Sequence, residues 1–416
     1  MSTMADQQPS GLAARGPLAA LLLASGVSLV GNQLTALALP WLVLTSIGTA
    51  WEAGIVGAGT VLPAVIGALG GGLITDRLGS RRMSIAADLA SGAAVAAIPI
   101  CALTVGLSTP LLFVLAFAGA LLDAPGFTAR QVLVPDLGDR AGVSRERANS
   151  LFQTVDNASL LIGPVIAGLA IVALGPVNAL WLDAGSFAVS AVIVAVAIPR
   201  GLGRGSGEEE VADVLAGLRL LARDRVLRAV TLVAAVANLV GTPIFAVLLP
   251  ALALSTAAGA DALGIMLGAY GGGLVAGSLG YGIVGARVGR RVVASLGFAG
   301  TGVAFAAVAM APPLPVILVA LVIGGVASGP INPIAFTVLQ ERVPAAVRGR
   351  VFGAVLGGVL VASPVGMLVM GALAEARGPQ IGLGIAGATF VLVGLVIALW
   401  PTFRELDAGP GAAAEG

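Results

Sequence analysis

The chain has 416 residues, of which 58% are hydrophobic and only 10% are charged, and its net charge is +1. Its mean hydropathy is +1.03, whereas an ordinary soluble domain carries roughly 25% charged residues. This composition excludes a soluble multidomain enzyme and a basic nucleic-acid-binding surface. It predicts a helical protein that crosses the lipid bilayer many times.

Residue types needed for metal and thiol chemistry are nearly absent. The chain has no histidine, and its one cysteine, Cys101, lies within an apolar run. A zinc site, an intrachain disulfide and histidine-based catalysis are therefore excluded. The chain also has no lysine, which the phosphate-binding loop of ATP-driven proteins requires. We expect no cofactor, no metal and no enzymatic activity.

A membrane-spanning helix needs about 20 predominantly apolar residues, and the chain contains twelve such stretches. They are predicted at 18–45, 53–74, 83–106, 109–134, 150–174, 176–199, 227–253, 262–285, 292–311, 313–338, 350–374 and 379–401. One long polar stretch, 200–226, separates a half at 1–199 from a half at 227–416. Apolar residues recur at helical spacing from Val211 to Leu221, which predicts an amphipathic helix on the inner membrane face.

The arginines predict the orientation of these spans. With twelve spans and an inner N-terminus, 20 of the 22 arginines lie in inner segments or at their edges. Positively charged segments resist translocation, so both termini and the 200–226 linker are predicted to be cytoplasmic. The use of arginine in place of lysine is typical of a G+C-rich bacterial genome, and we expect the bacterial cytoplasmic membrane as the location.

The two halves repeat a common pattern. The loop after the second span reads Gly-x-x-x-Asp-Arg-x-Gly-x-Arg-Arg from Gly72 to Arg82, and a degenerate copy runs from Gly282 to Arg291. Paired positions in other spans are Asn32 with Asn238, Leu39-Pro40 with Leu249-Pro250, and Gly163-Pro164 with Ser363-Pro364. Two six-span halves related in this parallel way are a known transporter plan.

At these residues the chain resembles the major facilitator superfamily. The Gly72–Arg82 pattern resembles its loop signature, and Gly163, Pro164 and Gly168 resemble the antiporter motif of drug:proton exporters. Four further segments resemble the branch that contains macrolide efflux pumps and the enterobactin exporter: Pro135-Asp136-Leu137, Arg147-Ala-Asn-Ser150, Asp183-Ala-Gly-Ser-Phe187 and Arg348-Gly-Arg350-Val-Phe-Gly353.

The resemblance implies an all-α membrane protein of twelve transmembrane helices in two six-helix halves. It also implies a secondary active exporter of drug-like or secondary-metabolite compounds, such as macrolides or siderophores, that exchanges them for protons by alternating access. The alternative is an uptake symporter or facilitator for a small polar solute. We expect a monomer.

The resemblance further assigns an inner gate to Gly72, Asp76, Arg77, Gly79, Arg81 and Arg82, with Asp76 capping the N-terminus of another helix. Ser80 stands where this signature usually has a basic residue, so Arg81 is expected to serve in its place. The repeat partner of Asp76 is Ala286, which predicts a gate in the first half only.

Four acids lie within predicted spans, all in the first half: Asp88, Asp123, Asp156 and Asp183. A charge in hydrocarbon is costly, so each acid is expected to pair, to take up a proton or to face water. Asp88 lies near Arg82, and we expect it to pair with a loop arginine.

Asp123 and Arg130 are seven residues apart on one helix face, and Asp123 is either a gate partner of Arg77 or Arg81 or a proton site. Asp156 shares a face with Gly163 and is either a coupling acid or a hydrogen-bond partner of a neighbouring helix. For Asp183 we favour packing or a hydrogen bond. The candidates for proton coupling are therefore Asp123, Asp156 and Arg130, with Asp183 next.

Amide side chains on the spans that border the cavity of this fold predict its polar lining. They are Asn32, Gln33, Asn157, Asn238 and Asn332. Amides with almost no charge indicate a bulky, mostly apolar small-molecule substrate. The alternative for each is a hydrogen bond between helices.

Overall fold

The computed structural model of the protein describes residues 11–46, 48–200, 202, 219, 221–254, 259–284, 288–343 and 348–407, and the regular structure in these ranges is helical. The predicted amphipathic helix of the linker falls on residues that lie outside these ranges. For residues 64–77 the backbone alone is described.

Twelve membrane helices follow one another in the described ranges. They are α1 (Gly11–Ser46), α2 (Ala50–Leu78), α3 (Ser80–Thr104), α4 (Thr109–Arg140), α5 (Arg145–Leu174), α6 (Pro176–Ala197), α7 (Arg225–Leu254), α8 (Gly259–Val284), α9 (Arg290–Ala309), α10 (Leu314–Ser328 and Ile331–Arg342), α11 (Arg348–Arg377) and α12 (Pro379–Leu399). A short 3-10 helix, Pro401–Leu406, follows α12. By length and hydropathy alone, nine helices of the described chain qualify as membrane spans. The prediction of twelve helices is confirmed, and most helix ends fall within a few residues of those expected.

Prolines interrupt two of these helices. In α7, Pro243 is followed by a π-helical turn, Ile244–Leu248, before the helix resumes. In α10, the chain turns at Gly329-Pro330 between two helical pieces. Proline lacks the backbone donor of a regular helix, and π-turns are common where helices border functional sites.

The helices form two bundles with the same internal plan. In the first bundle α1 packs on α5 and α6, α2 on α4, and α3 on α4 and α6. In the second bundle the matching pairs six helices later also pack: α7 on α11, α8 on α10, and α9 on α10 and α12. The sequence repeat is therefore a structural repeat.

We call the membrane face at which α6 ends and α7 begins the linker face, and the opposite one the far face. The close contacts between the bundles lie towards the far face, where the start of α2 meets the end of α11 and the end of α5 meets the start of α8. At Gly264 of α8, an added Cβ would lie 2.2 Å from Val172 of α5. The structure is thus a state closed at the far face.

Candidate functional site

The first bundle encloses a charged pair. Arg130 of α4 donates from Nη1 to Asp88 of α3 at 3.1 Å, and both side chains are buried. Ser190 of α6 donates to the other Asp88 oxygen at 2.7 Å, and Arg130 also donates to Ser190 at 3.1 Å and to Ser28 of α1 at 3.5 Å. These four residues join α1, α3, α4 and α6, so the pair holds the centre of the bundle together.

Asp123 of α4 adjoins this pair. Its Oδ1 lies 3.6 Å from Nη2 of Arg130, and its side chain is 18% exposed. Asn32 of α1 donates to its Oδ2 at 2.8 Å, while Oδ1 accepts no hydrogen bond from the described residues. Asp123 is thus the least buried acid of this group.

A third acid, Asp183 of α6, lies beside the same helix α1. Thr35 and Ser186 donate hydrogen bonds to it, and it is fully buried. The approach of α6 requires glycine at position 31, since a Cβ there would lie 2.0 Å from Ser186 Oγ and 2.4 Å from Asp183 Oδ1.

The charge of this group decides what it can do. The guanidinium of Arg130 lies within 4 Å of the carboxylates of Asp88 and Asp123. Asp183 adds a third carboxylate, which accepts a hydrogen bond from Thr35 of α1. Three ionised acids and one arginine inside this bundle would leave a net charge of −2 within the membrane, which is costly. The group can therefore hold protons, and its proton content can change with access to water.

The sequence analysis predicted some of these contacts and missed others. The expected pairing of Asp88 with a loop arginine is wrong, because its partner is Arg130 on α4. Asp123 shares a helix face with Arg130, as their spacing predicted, and lies 3.6 Å from it, whereas Arg81 binds the end of α6. Asp183 is hydrogen-bonded as expected. Asp156 accepts from Gln153 of its own helix α5 at 3.1 Å.

Four hydroxyl residues of this site were missed: Ser28, Thr35, Ser186 and Ser190. Their signal was present in the sequence. Ser186 and Ser190 follow Asp183 at spacings of three and seven residues, and Ser28 and Thr35 flank Asn32 on α1. Such spacings place side chains on one helix face.

The loop signature has a structural function at its arginine end. Arg81 donates from Nε to the carbonyl of Ile198 at 2.8 Å and from Nη2 to Ala195, which satisfies the end of α6. Arg291 does the same for α12, donating to Ile397 and Ala398. Gly79 precedes α3 with φ of 78°, a conformation that favours glycine.

The remaining gate residues are only partly described. Arg82 is exposed, whereas the side chains of Asp76 and Arg77 lie outside the described part of the chain, and for Gly72 the backbone alone is described. Arg81 was expected to act in place of the basic residue that usually stands at the position of Ser80. In the structure, its guanidinium binds the carbonyl groups at the end of α6.

The antiporter-motif residues pack α5 against two neighbours. A Cβ at Gly163 would lie 2.4 Å from the Gln33 side chain of α1, and one at Gly168 would lie 3.6 Å from Leu267 of α8. Gln33 is therefore a packing partner of Gly163. Pro164, half-buried, lies within α5. These residues position α5 between the bundles.

Two of the predicted amides line a cavity in the linker-face part of the second bundle. The cavity has a volume of about 100 Å³, and Asn238 of α7 and Asn332 of α10 border it together with apolar side chains such as Phe298, Ala335 and Phe403. Asn238 donates to the carbonyl of Ala234 in its own helix at 3.0 Å. Asn32 instead binds Asp123, and the Asn157 side chain lies outside the described set.

Two six-helix bundles of matching plan, joined at one face and holding buried charge in one bundle, define a membrane transport protein. A family model described as Major Facilitator Superfamily matches residues 21–251 and again 231–415. The chain belongs to the Major Facilitator Superfamily, as its loop and helix motifs predicted. The double match also agrees with the repeat of the two halves.

Relatives and solved structures extend over nearly the whole chain. The multidrug efflux pump Tap of Mycolicibacterium fortuitum is 36% identical over 402 residues, which cover 94% of this chain and 98% of that protein. The pump Tap of Mycobacterium tuberculosis is 34% identical over 405 residues, 96% of both chains.

The crystal structure of the nucleoside transporter NupG matches with a TM-score of 0.69 and 15% identity over 92% of this chain and 98% of that one. A D-xylose-proton symporter matches with a TM-score of 0.69 and 14% identity over 96% and 99%. At these identities the structures show a common fold.

Proposed function

We propose that the protein is a secondary active exporter of drug-like compounds. The observation that carries this proposal is its full-length similarity to multidrug efflux pumps at 34–36% identity. The closed far face and the matched bundles support transport by alternating access, in which one binding region is exposed to each side in turn. We infer no use of ATP, since the chain lacks lysine and hence a phosphate-binding loop.

The substrate we propose is neutral or weakly charged and largely apolar. The cavity beside Asn238 and Asn332 supports this, because its lining residues carry no charge and are mostly aliphatic or aromatic. A cavity of about 100 Å³ admits one apolar group of a larger molecule, and two amides can orient that group by hydrogen bonds.

We propose that the linker face is cytoplasmic and that the protein works as a monomer in a bacterial cytoplasmic membrane. The arginine clusters at this face support the orientation, and the linker at 200–226 then joins the halves 1–199 and 227–416 inside the cell. Single cysteines at Val105 and Arg145, in a Cys101→Ala background, test it. Both positions are exposed, and an impermeant thiol reagent on intact cells should label only Val105.

For proton coupling we propose Asp123 as the first candidate, ahead of Asp156 and Asp183. Among the acids near Arg130 it is the least buried, at 18% exposed, and Arg130 lies 3.6 Å from it. Arg130 stabilises the ionised acid, and a movement of α4 that separates them favours the protonated acid. Asp88 is sealed against Arg130 and Ser190, which supports a structural role for it.

A drug-susceptibility panel in a pump-deficient bacterial host tests export. Expression of the chain should raise resistance to bulky apolar compounds. Ala335→Leu, which places a larger side chain in the cavity, should lower that resistance, whereas Ala372→Leu on the exposed surface of α11 should not. Unchanged susceptibility on expression of the wild-type chain contradicts export of drugs.

Proteoliposomes with an imposed pH gradient test the coupling. Asp123→Asn should abolish uphill accumulation while downhill exchange continues, because neutralisation removes the proton carrier and not the substrate cavity. Asp139→Asn, which alters an exposed acid on the same helix, is the matched control. Full accumulation by Asp123→Asn would show that this acid does not carry the proton.

A further inference from the structure

The end of α11 places a carboxylate on the start of α2, across the two bundles. Oε2 of Glu375 accepts a hydrogen bond from the backbone N–H of Ala50 at 2.9 Å. Ala50 is the first residue of α2, and the first N–H groups of a helix have no partner within it. The positive end of the helix dipole adds to the attraction for a carboxylate.

The rest of this helix terminus is capped from within the first bundle. Thr49 Oγ1 accepts from the N–H of Glu52 at 3.1 Å and donates to the Glu52 carboxylate at 2.8 Å. Glu52 also accepts from Thr109 of α4 at 2.7 Å. Glu375 therefore satisfies a different donor from the one that Thr49 satisfies, and it does so from the other half of the protein.

Glycines allow the two helices to approach closely at this place. A Cβ at Gly54 of α2 would lie 2.5 Å from the carbonyl oxygen of Met367, and one at Gly371 of α11 would lie 2.8 Å from that of Ala50. Near Gly57, the Met367 sulfur lies 2.9 Å from the position of a Cβ. The carboxylate thus sits at the end of a backbone-to-backbone contact that must separate when the far face opens.

We propose that Glu375 is a positioning residue of the transport cycle that holds the far face closed by capping α2 in this state. Opening of the far face moves α11 away from α2 and breaks the contact with Ala50. This contact therefore lowers the free energy of the closed state relative to the open state. The proposal rests on alternating access as the mode of transport, and it requires no particular substrate or coupling ion.

The test measures opening of the far face directly. Met367→Cys is introduced in a Cys101→Ala background as a buried reporter, and its labelling rate by a soluble thiol reagent is measured on the full chain in detergent, without substrate. Glu375→Gln should raise this rate roughly tenfold, the change expected when a charge-assisted hydrogen bond is replaced by a weaker neutral one. Gly371→Ala should also raise it, since the added Cβ prevents the close approach.

Glu52→Gln is the matched control. It neutralises an acid at the same face whose contacts stay within the first bundle, so the reporter should label at the wild-type rate. An unchanged rate in Glu375→Gln, or an equal rise in Glu52→Gln, overturns the proposal. Because the labelling uses no drug and no gradient, a failure of the susceptibility panel leaves this result standing and contradicts drug export alone.

Discussion

Replacement of Asp88 by asparagine tests whether the buried pair is structural. Each Asp88 oxygen accepts one hydrogen bond, from Arg130 at 3.1 Å and from Ser190 at 2.7 Å. Asparagine keeps one acceptor and turns an amide NH₂ toward a second donor, so one of these bonds is lost. Among the described residues, the buried guanidinium then retains only Asp123, at 3.6 Å, as a balancing charge.

The expected cost follows from these contacts. Removing one partner of a buried hydrogen bond costs about 1–3 kcal/mol, and more when the donor left unsatisfied is charged. The result agrees with the roughly 3–5 kcal/mol measured when one partner of a buried ion pair is removed. In a cooperative unit of about 200 residues, the size of one bundle, each kcal/mol lowers the melting temperature by about 2–4 °C. We therefore expect Asp88→Asn to melt at least about 6 °C below wild type.

The assay is thermal unfolding of the purified protein in detergent at one scan rate, because such unfolding is often irreversible. Asp139→Asn is the matched control. Its pair with Arg145 is close, 2.7 Å, but the two side chains are 48% and 64% exposed, and exposed pairs contribute little. A melting temperature of Asp88→Asn within about 2 °C of wild type would refute a structural role for the pair.

Three further changes follow from local geometry. Gly31→Ala should lower the melting temperature and the folded yield because the Cβ meets Asp183, whereas Gly185→Ala, with open space at its Cβ, should do neither. Arg81→Ala should lower the melting temperature by freeing carbonyls at the end of α6, and Arg81→Lys should do so less. Hydrogen bonds from Arg290 hold the pKa of Glu341 below its usual 4.5. Glu341→Gln should therefore be less stable than wild type at pH 7, and the difference in melting temperature should vanish as the pH falls through the lowered pKa.

The sequence was sufficient for the fold because hydropathy acts locally. The twelve apolar stretches correspond to twelve helices. The repeat also identified the matching arginines at the start of α3 and at the start of α9. Spacing on one helix also predicted that Arg130 and Asp123 would share a face, where the structure places them 3.6 Å apart. These inferences needed only the period of an α-helix.

Contacts between distant segments were not accessible in this way. Asp88 and Arg130 are 42 residues apart on different helices, and Ala50 and Glu375 are separated by 325 residues. Which helix face meets which neighbour depends on side-chain packing across the whole bundle. A nearby loop arginine was therefore a reasonable but wrong partner for Asp88. No pattern in the sequence predicted the contact between Ala50 and Glu375 at the far face.

The repeat itself provides the register for comparing the interiors of the two bundles. Arg291 falls 210 residues after Arg81, and both arginines cap the last helix of their half. At the same offset, Ser91 and Thr301 donate to carbonyl groups of the next helix, those of Gly119 and Gly324. The backbone scaffold and its hydroxyl contacts are thus common to both halves.

In this register the buried Asp88–Arg130 pair of the first bundle has apolar counterparts in the second. Asp88 corresponds to Phe298 at the offset of 210, and Arg130 corresponds to Ala335 at the offset of 205 that relates Gly119 to Gly324. Phe298 and Ala335 both line the cavity of about 100 Å³, whereas the matching space in the first bundle holds the Asp88–Arg130 ion pair. Because an alanine replaces a long charged side chain, the second bundle keeps room that the first has filled. The division supports our proposals that the first bundle handles protons and that the second binds an apolar substrate, on one duplicated scaffold.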